Sequence, residues 1–483
     1  MHRAVVPEMS SLVGMCRQSD YLLHVDTRSG TPLVTISSLF VVSLTTYFLL
    51  EGEAMTPTPT IHPRSFLGHL STHQPLITSA GKELLRTVPS HAWNEQTSGK
   101  MPTQAVLVSI DNGNDALKGA MLHARDPFLR TRRIVTAYAP ARTIRAGEDI
   151  TTWQVNDSEP FWIGEDAVFA HKAESLPIGM TEERFADQRF RHFLCACLVD
   201  LVMEAGYAIH PGEMQGAYEL FVSLGLPPEE LDLRGPKETV RRALLPLLQT
   251  PFTVRRRDEQ GQSTTWVLRL AEIAPYPQTF ASFATWYYTL DGLPIETDIV
   301  KHVTLDIGGG HLHECQIDLM HQVAGRPKLR MSASLLGEGT IAMARAVRET
   351  IRARYPGLQL SDAQAQQVLT SGAVTIEGRR VRVDEVVAEV INARSQNLFT
   401  QLLPLLQERQ SFVMFTGGGS LLLSQSLRRL VSTKRSLHSV LFVPDELALV
   451  LNAIGGYVLA QASAQRMVDR RSATDSSTRR QHE

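Results

Sequence analysis

An α/β fold made of two related lobes is predicted by three loops that contain glycine. They lie at residues 110–118, 305–311 and 415–420, and each follows an apolar run typical of a β-strand. The first two also carry an aspartate directly after that run. A strand, an Asp-Gly turn and a further strand can bring main-chain N–H groups close to an anion, because glycine has no side chain in the way. The repeated pattern therefore predicts a phosphate-binding unit that occurs twice, as the two sides of one Mg-nucleotide site.

The composition is that of an ordinary globular protein. A length of 483 residues suits two or three domains with a large core. The net charge of −2 gives no global reason to expect contact with nucleic acid or with a membrane. The four cysteines form no CxxC pair, which favours reduced thiols in the cytoplasm.

Residues 1–100 differ from the rest of the chain. Thr31 to Leu50 is uncharged and mostly apolar, with the length of a membrane-spanning helix, but its many serines and threonines make it a weak candidate. Three interpretations stay open. The favoured one is an over-extended start, with the true start at Met55 or Met101; the second is a poorly ordered extension. A membrane anchor is the least favoured of the three.

The remaining chain divides into two lobes and a tail. Residues 101–300 form the predicted N-terminal lobe and residues 301–463 the C-terminal lobe, while the polar residues 464–483 are typical of a disordered tail. Apolar spacing predicts one long helix from Phe185 to Tyr207. After the third glycine loop, the next helix is predicted from Ser424 to Val431.

Several short motifs follow one another in an order that resembles the actin-like ATPases, specifically the ParM/StbA and archaeal-actin-like branch. The resemblance covers roughly Ala105 to Ala460. It implies a two-lobed fold of duplicated ribonuclease-H-like domains, shared with heat-shock chaperone ATPases and sugar kinases, with the nucleotide in the cleft between the lobes. The motifs are Asp111–Lys118, Phe161–Ala167, Val222–Pro227, Ile273–Phe280, Asp306–Gly310, Leu335–Ile341, Phe415–Ser420 and Asn452–Gly456.

The resemblance implies ATP and Mg²⁺ as cofactors and gives the motif residues roles. Asp111 and Asp306 would hold Mg²⁺ largely through water, and Lys118 would reach the β- and γ-phosphates. Gln278 would orient the attacking water; since glutamine is not a strong base, turnover would be slow. Glu338 is a candidate for the ribose. The other binding positions are Asn112, Gly113, Asn114, Gly308, Gly309, Gly310 and His311 for phosphate, and Gly417, Gly418, Gly419 and Ser420 for adenosine.

Two of these roles have structural alternatives, and one position departs from the family. Gln278 could serve only as a structural hydrogen-bonding group. Glu338 could be an acid in the first turn of a helix, stabilised by the helix dipole. His311 stands where relatives usually carry a small polar residue, which puts the rate of turnover in doubt more than nucleotide binding.

The function implied is slow hydrolysis of Mg-ATP coupled to head-to-tail filaments, since contacts that do not close into a ring give open filaments. A role in plasmid segregation or a cytoskeleton would follow, with a DNA-bound adaptor as a possible partner and no direct contact with nucleic acid. One alternative is a non-hydrolysing nucleotide-sensing scaffold or a membrane-linked cell-division adaptor. Another is a small-molecule kinase, which needs an aspartate base near the acceptor hydroxyl, where Gln278 stands instead.

Overall fold

The structure is a computed structural model that describes residues 61–72, 75–76, 104–141, 150–168, 174–176, 181–207, 215–232, 235–249, 251–323, 326–336, 338–376, 378–408, 410–433, 440–444 and 446–461. The apolar run Thr31 to Leu50, the candidate starts Met55 and Met101, and the tail 464–483 all lie outside the described residues. Among the helices that are described, none is long and apolar enough to cross a bilayer.

The strands of the N-terminal half are β1 (Gln104–Asn112), β2 (Ala116–Leu122), β3 (Leu129–Val135), β4 (Ala137–Pro140), β5 (Thr152–Val155), β6 (Phe161–Ile163), β7 (Glu174–Ser175), β8 (Gln215–Leu226), β9 (Leu231–Asp232), β10 (Gly235–Pro236), β11 (Phe252–Arg257) and β12 (Ser263–Pro277). The C-terminal half adds β13 (Lys301–Ile307), β14 (His311–Val323), β15 (Arg326–Leu336), β16 (Ala373–Ile376), β17 (Arg379–Arg382), β18 (Ser411–Thr416) and β19 (Val440–Phe442).

The helices are α1 (Phe66–Ser71), α2 (Gly164–Val168), α3 (Thr181–Ala186), α4 (Gln188–Glu204), α5 (Glu238–Gln249), α6 (Gln278–Tyr287), α7 (Thr340–Arg354), α8 (Asp362–Ser371), α9 (Asp384–Gln407), α10 (Gly418–Ser432) and α11 (446–461). The long helix predicted from Phe185 is in fact two. Asp187 separates α3 from α4 with an extended backbone, and its side chain accepts the N–H of Arg189 as an N-cap.

One five-strand arrangement occurs twice. In the N-terminal lobe the order is β3-β2-β1-β8-β12: β2 is antiparallel to its neighbours β1 and β3, and β8 and β12 continue parallel to β1. In the C-terminal lobe, β15-β14-β13-β18-β19 repeats the same directions. The predicted duplication is therefore confirmed. Among the described residues, the N-terminal sheet alone is extended, to ten strands, by β11, β5, β6, β4 and β7.

Strand β1 shows why these sheets are buried on both faces. Val106, Val108 and Ile110 alternate into the main core of the N-terminal lobe, while Leu107 between them joins a second cluster on the opposite face. Side chains of a strand alternate between its two faces, so a strand with apolar residues at successive positions must be covered twice. The central strand of each lobe is thus held rigidly, and its last residues have fixed positions.

Helices α6 and α11 pack between the two sheets. Residues of α6 share a cluster with the C-terminal sheet, whereas residues of α11 share one with the N-terminal sheet. The two helices also approach each other closely, because a Cβ on Gly455 would collide with the backbone of Ala281. The helix that follows each lobe's sheet therefore packs against the other lobe.

Helix α1 comes from the part of the chain expected to be an extension, yet it is buried. Ser65 caps it by accepting the N–H of Gly68 at 3.0 Å, and the N–H of Phe66 donates to the carbonyl of Tyr288 at 2.9 Å. Phe66 belongs to the cluster around α11, and Leu67 belongs to the cluster around α6. A chain that began at Met101 would lack both side chains and leave those clusters open.

Candidate functional site

The first aspartate, Asp111, is the next-to-last residue of β1 and only 2% exposed. Lys118 lies opposite it on β2, with its Nζ 3.4 Å from one carboxylate oxygen. The other oxygen accepts a hydrogen bond from the amide nitrogen of Gln278 at 2.8 Å. Gln278 is the first residue of α6, so a residue of this helix fixes the carboxylate at the end of the N-terminal lobe's central strand.

The second aspartate, Asp306, has the matching position in the other lobe. It is the next-to-last residue of β13 and 7% exposed. The amide nitrogen of Asn452, on α11, donates to its carboxylate at 2.7 Å, and the amide oxygen of Asn452 accepts from the hydroxyl of Ser282 at 2.6 Å. Each aspartate thus receives one amide donor from one of the two helices between the lobes.

The charges of the site interact across the two lobes. Burial by itself would lower the pKa of Lys118, but the nearby carboxylates of Asp111, Asp115 and Asp306 outweigh it and raise that pKa. Burial also raises the pKa of Asp306, against the opposing effects of Lys118 and His313. Lys118 is therefore a fixed cation between acidic groups of both lobes, and Asp306 is a carboxylate that gains from a nearby positive charge.

Loop 1 (residues 111–118) and loop 2 (residues 306–311) face each other. A Cβ built on Gly309 would lie 3.7 Å from the Cβ of Asp115, and one built on Gly310 would lie 3.9 Å from the side-chain nitrogen of Asn114. The two loops predicted from sequence therefore approach each other closely, and Lys118 and Gln278 lie beside them. Within loop 1, the N–H of Gly113 already donates to the carbonyl of Asp111, at 3.1 Å.

Loop 2 is held from behind by the start of α7. The N–H groups of Thr340 and Ile341 donate to the carbonyl oxygens of Gly308 and Gly309 at 3.0 and 2.9 Å. Gly339 precedes them, and a Cβ there would collide with both carbonyl oxygens. In a trans peptide the N–H points opposite to the C=O, so the N–H groups of the following residues point away from α7. Helix α7 thus fixes which way this loop presents its donors.

Loop 3 (residues 415–420) differs from its prediction. The helix expected from Ser424 starts six positions earlier, as α10, so Gly418, Gly419 and Ser420 form its first turn. Glycine is a poor helix former, which is why the sequence did not predict this start. Close packing explains Gly417 and Gly419 instead. Gly417 has φ +84°, and a Cβ on it would collide with Asp306, while a Cβ on Gly419 would collide with Ile307.

Three further predicted residues have defined surroundings. The hydroxyl of Ser420 donates to the carbonyl of Gly417 at 2.7 Å. Glu338 forms an ion pair with Arg394, which also donates to its carbonyl oxygen at 2.9 Å. It precedes the N-cap of α7, so it is not an acid of the helix's first turn. The ring of His311 stacks on that of His313, and the His311 carbonyl accepts the N–H of Gly308. The nucleotide roles of these residues remain predictions.

The sequence reading missed two residues that act on the loops. Asn452 stood within a recognised motif but received no role. Arg184 lies in an ordinary helical pattern, yet it is only 2% exposed, and its guanidinium donates to the carbonyl of Asn112 at 3.0 Å. A buried arginine is unusual enough to suggest a function, but its burial is not visible in the sequence.

The donor set fits a magnesium nucleotide better than a metal held by protein alone. Two buried carboxylates, one from each lobe, lie near one lysine between loops rich in glycine. In the described part of the chain, no group of three or more His, Cys, Asp or Glu side chains could hold a metal ion. Mg²⁺ needs only one or two carboxylates when waters and phosphate oxygens complete its shell.

Comparisons with known proteins identify the fold. Residues 304–429 match the family model described as archaeal actin homologue MreB-like, C-terminal. No curated protein matches the sequence significantly.

Three similar solved structures cover about three quarters of this chain and 99% of their own. The archaeal actin homologue Ta0583 is 20% identical, with a TM-score of 0.55 over 74% of this chain and 99% of its own. A ParM filament from Clostridium botulinum has 14% identity and a TM-score of 0.55 over 74% and 99%. The ParM of Bacillus thuringiensis, solved with ATP, has 13% identity and a TM-score of 0.52 over 75% and 99%. The chain therefore has the actin-like fold, and its likeness to the archaeal-actin and ParM proteins is confirmed.

Proposed function

We propose that this protein binds Mg-ATP between its two lobes, hydrolyses it slowly and assembles head-to-tail into filaments. The observation that carries the proposal is the matched pair Asp111 and Asp306. Each ends the central strand of its lobe, each receives an amide donor from a helix between the lobes, and Lys118 interacts with both. A site assembled from both lobes can respond to nucleotide by changing how the lobes are arranged.

Positioning and charge neutralisation account for most of the catalysis of phosphoryl transfer. Lys118 would contact the terminal phosphates, and the N–H groups of loops 1 and 2 would surround them. Asp111 and Asp306 would orient the waters of a bound Mg²⁺, which neutralises phosphate charge. The amide nitrogen of Gln278 donates to Asp111 at 2.8 Å, and its amide oxygen would accept from the attacking water. A water placed by glutamine, with no strong base, implies slow turnover.

The remaining features of the site are also part of the proposal. Loop 3 and Glu338 would contact the adenosine end, consistent with the close approach of Gly417 to Asp306. We propose that residues 101–300 and residues 301–463 are the two lobes that move. We also propose a cytoplasmic location, where the free cysteines Cys195, Cys197 and Cys315 would stay reduced. The similar ParM filament supports self-association as the mode of assembly. A DNA-bound adaptor and plasmid segregation would follow from that kinship.

The test is ATP-dependent light scattering measured together with phosphate release, on the full chain. The full chain is needed because Phe66 and Leu67 belong to the core. We expect both signals in the wild type and neither in Asp306→Asn, which keeps the shape of the side chain but removes its charge. Asp318→Asn is the matched control, since this aspartate lies on β14 and pairs with Arg330 outside the cleft.

The other outcomes identify the alternatives. Tight ATP binding by the wild type without scattering or phosphate release would overturn the proposal and favour a nucleotide-sensing scaffold. Phosphate release that depends on an added small-molecule acceptor would favour a kinase of the same fold.

A further inference from the structure

Arg184 lies behind loop 1 and contacts three of its residues. Its Nη1 donates to the carbonyl of Asn112 at 3.0 Å and to the side-chain oxygen of Asn114 at 3.5 Å, while its Nη2 donates to the carbonyl of Gly113 at 3.1 Å. The guanidinium carbon also lies 4.5 Å from the ring centre of Phe190. One planar group thus spans two successive carbonyls of the loop while it packs on the core of the lobe.

The carbonyl contacts fix the orientation of two peptide planes. In a trans peptide the N–H points opposite to the C=O. With the Gly113 carbonyl directed at Arg184, the N–H of Asn114 is directed away from it. Asn114 lies on the side where loop 2 approaches, because its side-chain nitrogen is 3.9 Å from a Cβ built on Gly310. Arg184 therefore fixes the orientation of the Gly113–Asn114 peptide, with its N–H on the side of loop 2.

A second set of contacts places Arg184 itself. Glu230, buried at 1% exposure, accepts the backbone N–H of Thr181, the first residue of α3, and attracts the guanidinium. Burial lowers the pKa of Arg184 to about 10, so the group still carries its charge at neutral pH. Removing a guanidinium from water is costly, and a neutral donor could bind the same carbonyls. A cation at this point adds positive potential beneath a loop that would receive phosphate.

We propose that Arg184 is a positioning residue that holds loop 1 in its phosphate-receiving conformation and contributes positive charge from behind it. This inference rests on the proposed function, since it assigns Arg184 to the phosphate half of the same site. Lysine is not equivalent, because only the planar fork of arginine can donate to two neighbouring carbonyls at once.

The test compares ATP with adenosine on the full chain, by titration calorimetry in the presence of Mg²⁺, for wild type, Arg184→Lys and Arg184→Met. Loss of a charged hydrogen bond predicts a roughly 10- to 100-fold weaker affinity for ATP in Arg184→Met, with a smaller loss in Arg184→Lys. The affinity for adenosine should change less than about twofold, since adenosine has no phosphate for loop 1 to receive. Arg132→Met is the control, because this arginine pairs with Asp200 elsewhere in the lobe.

Two outcomes would overturn the inference. One is equal loss of ATP and adenosine affinity, which indicates a general structural role. The other is unchanged ATP affinity in both variants. If the wild type itself fails to bind ATP, the proposed function fails and this inference with it; unchanged affinity in the variants alone leaves the proposed function standing.

A second variant covers the case in which the Arg184 variants do not fold. The hydroxyl of Thr136 also reaches the Gly113 carbonyl, at 3.4 Å. Thr136→Val should therefore speed hydrogen exchange across residues 112–115 and lower the ratio of ATP to adenosine affinity by roughly two- to fivefold. Faster exchange in residues 112–115 with an unchanged ratio of ATP to adenosine affinity would overturn the inference, because the orientation of this peptide would then not matter for phosphate binding.

Discussion

Loop 1 and loop 2 occupy equivalent places in a duplicated fold, but different groups support them. In loop 2 the carbonyls of Gly308 and Gly309 accept N–H groups from the start of helix α7. In loop 1 the carbonyls of Asn112 and Gly113 accept from the side chain of Arg184. Both sets of contacts bind two successive carbonyl oxygens, so the N–H groups of the same peptides point the opposite way in each loop. The two lobes therefore share their strand order but differ in the groups that hold their loops.

The difference predicts where each loop is vulnerable. Backbone donors do not depend on residue type, so loop 2 tolerates side-chain changes in α7 but not a change in where that helix lies. Loop 1 depends on side chains, chiefly that of Arg184, with a weaker contact from Thr136. A substitution that alters only Arg184 or only the start of α7 should therefore disturb the conformation of one loop. A substitution in the core between the lobes should disturb both loops.

The largest expected effect comes from Phe66, whose cluster includes residues of α11 and of the N-terminal sheet. Phe66→Ala should lower the free energy of unfolding by about 3–5 kcal/mol, the usual cost of emptying a buried phenylalanine site. Because α1 packs between the lobes, hydrogen exchange should rise in loops 1 and 2 alike. Phe128→Ala is the control, since that side chain is 41% exposed. A rise confined to one loop would contradict the central position of α1.

Gly339→Ala should disturb loop 2 alone. Its Cβ would collide with the carbonyl oxygens of Gly308 and Gly309, and forcing an atom into a packed site costs about 1–3 kcal/mol. We expect faster exchange in residues 306–311, unchanged exchange in residues 111–118, and weaker ATP binding. The control is Gly357→Ala, beyond the other end of α7. Its φ of +101° strains any side chain, but a Cβ there meets no atom within 4 Å, so this variant destabilises the chain without touching loop 2. Equal exchange changes in both loops would show that their supports are not separate.

The smallest expected effect is a loss of stability at low pH. His302 on β13 is surrounded by the rings of Phe283, Trp286 and Phe412, and burial lowers its pKa to about 3. The unfolded chain takes up this proton near pH 6.5 and the folded protein only near 3, so stability falls as pH drops below 6.5. The slope from this group is at most about 1.4 kcal/mol per pH unit.

Urea unfolding between pH 7 and 5 measures that slope. His302→Gln should flatten it, whereas Thr304→Val, which removes the hydroxyl 3.3 Å from the imidazole but keeps the histidine, should not. Because His302 lies on the strand that leads into loop 2, hydrogen exchange in loop 2 should rise at a higher pH than hydrogen exchange in loop 1 as the pH is lowered. Identical slopes in the wild type and His302→Gln would contradict this.

The sequence predicted the features that are local. Strands β1 and β13, their terminal aspartates and the glycine turns follow directly from short motifs, and the structure contains the duplicated strand order. The break at Asp187 had a visible signal, an N-cap residue, that the apolar spacing obscured. The start of α10 at Gly418 had no such signal, because a run of three glycines opposes a helix. Packing explains two of them, since a Cβ on Gly417 would collide with Asp306 and one on Gly419 would collide with Ile307.

Contacts between residues far apart along the chain could not be predicted from the sequence. Arg184 lies about 70 positions from the carbonyls that it holds, and nothing in its helix distinguishes it from a surface arginine. The pairing of Asn452 with Asp306 spans 146 positions. Burial of α1 was equally invisible, because a short apolar helix gains its stability from packing rather than from its own sequence.

The most direct test of the central claim, that loops 1 and 2 contact one nucleotide, is hydrogen exchange of the full chain with and without Mg-ATP. We predict that Mg-ATP slows exchange in residues 111–118 and 306–311 together, at the same nucleotide concentration, and that Asp306→Asn removes both effects. Slower exchange in only one loop, or in neither, would contradict the claim.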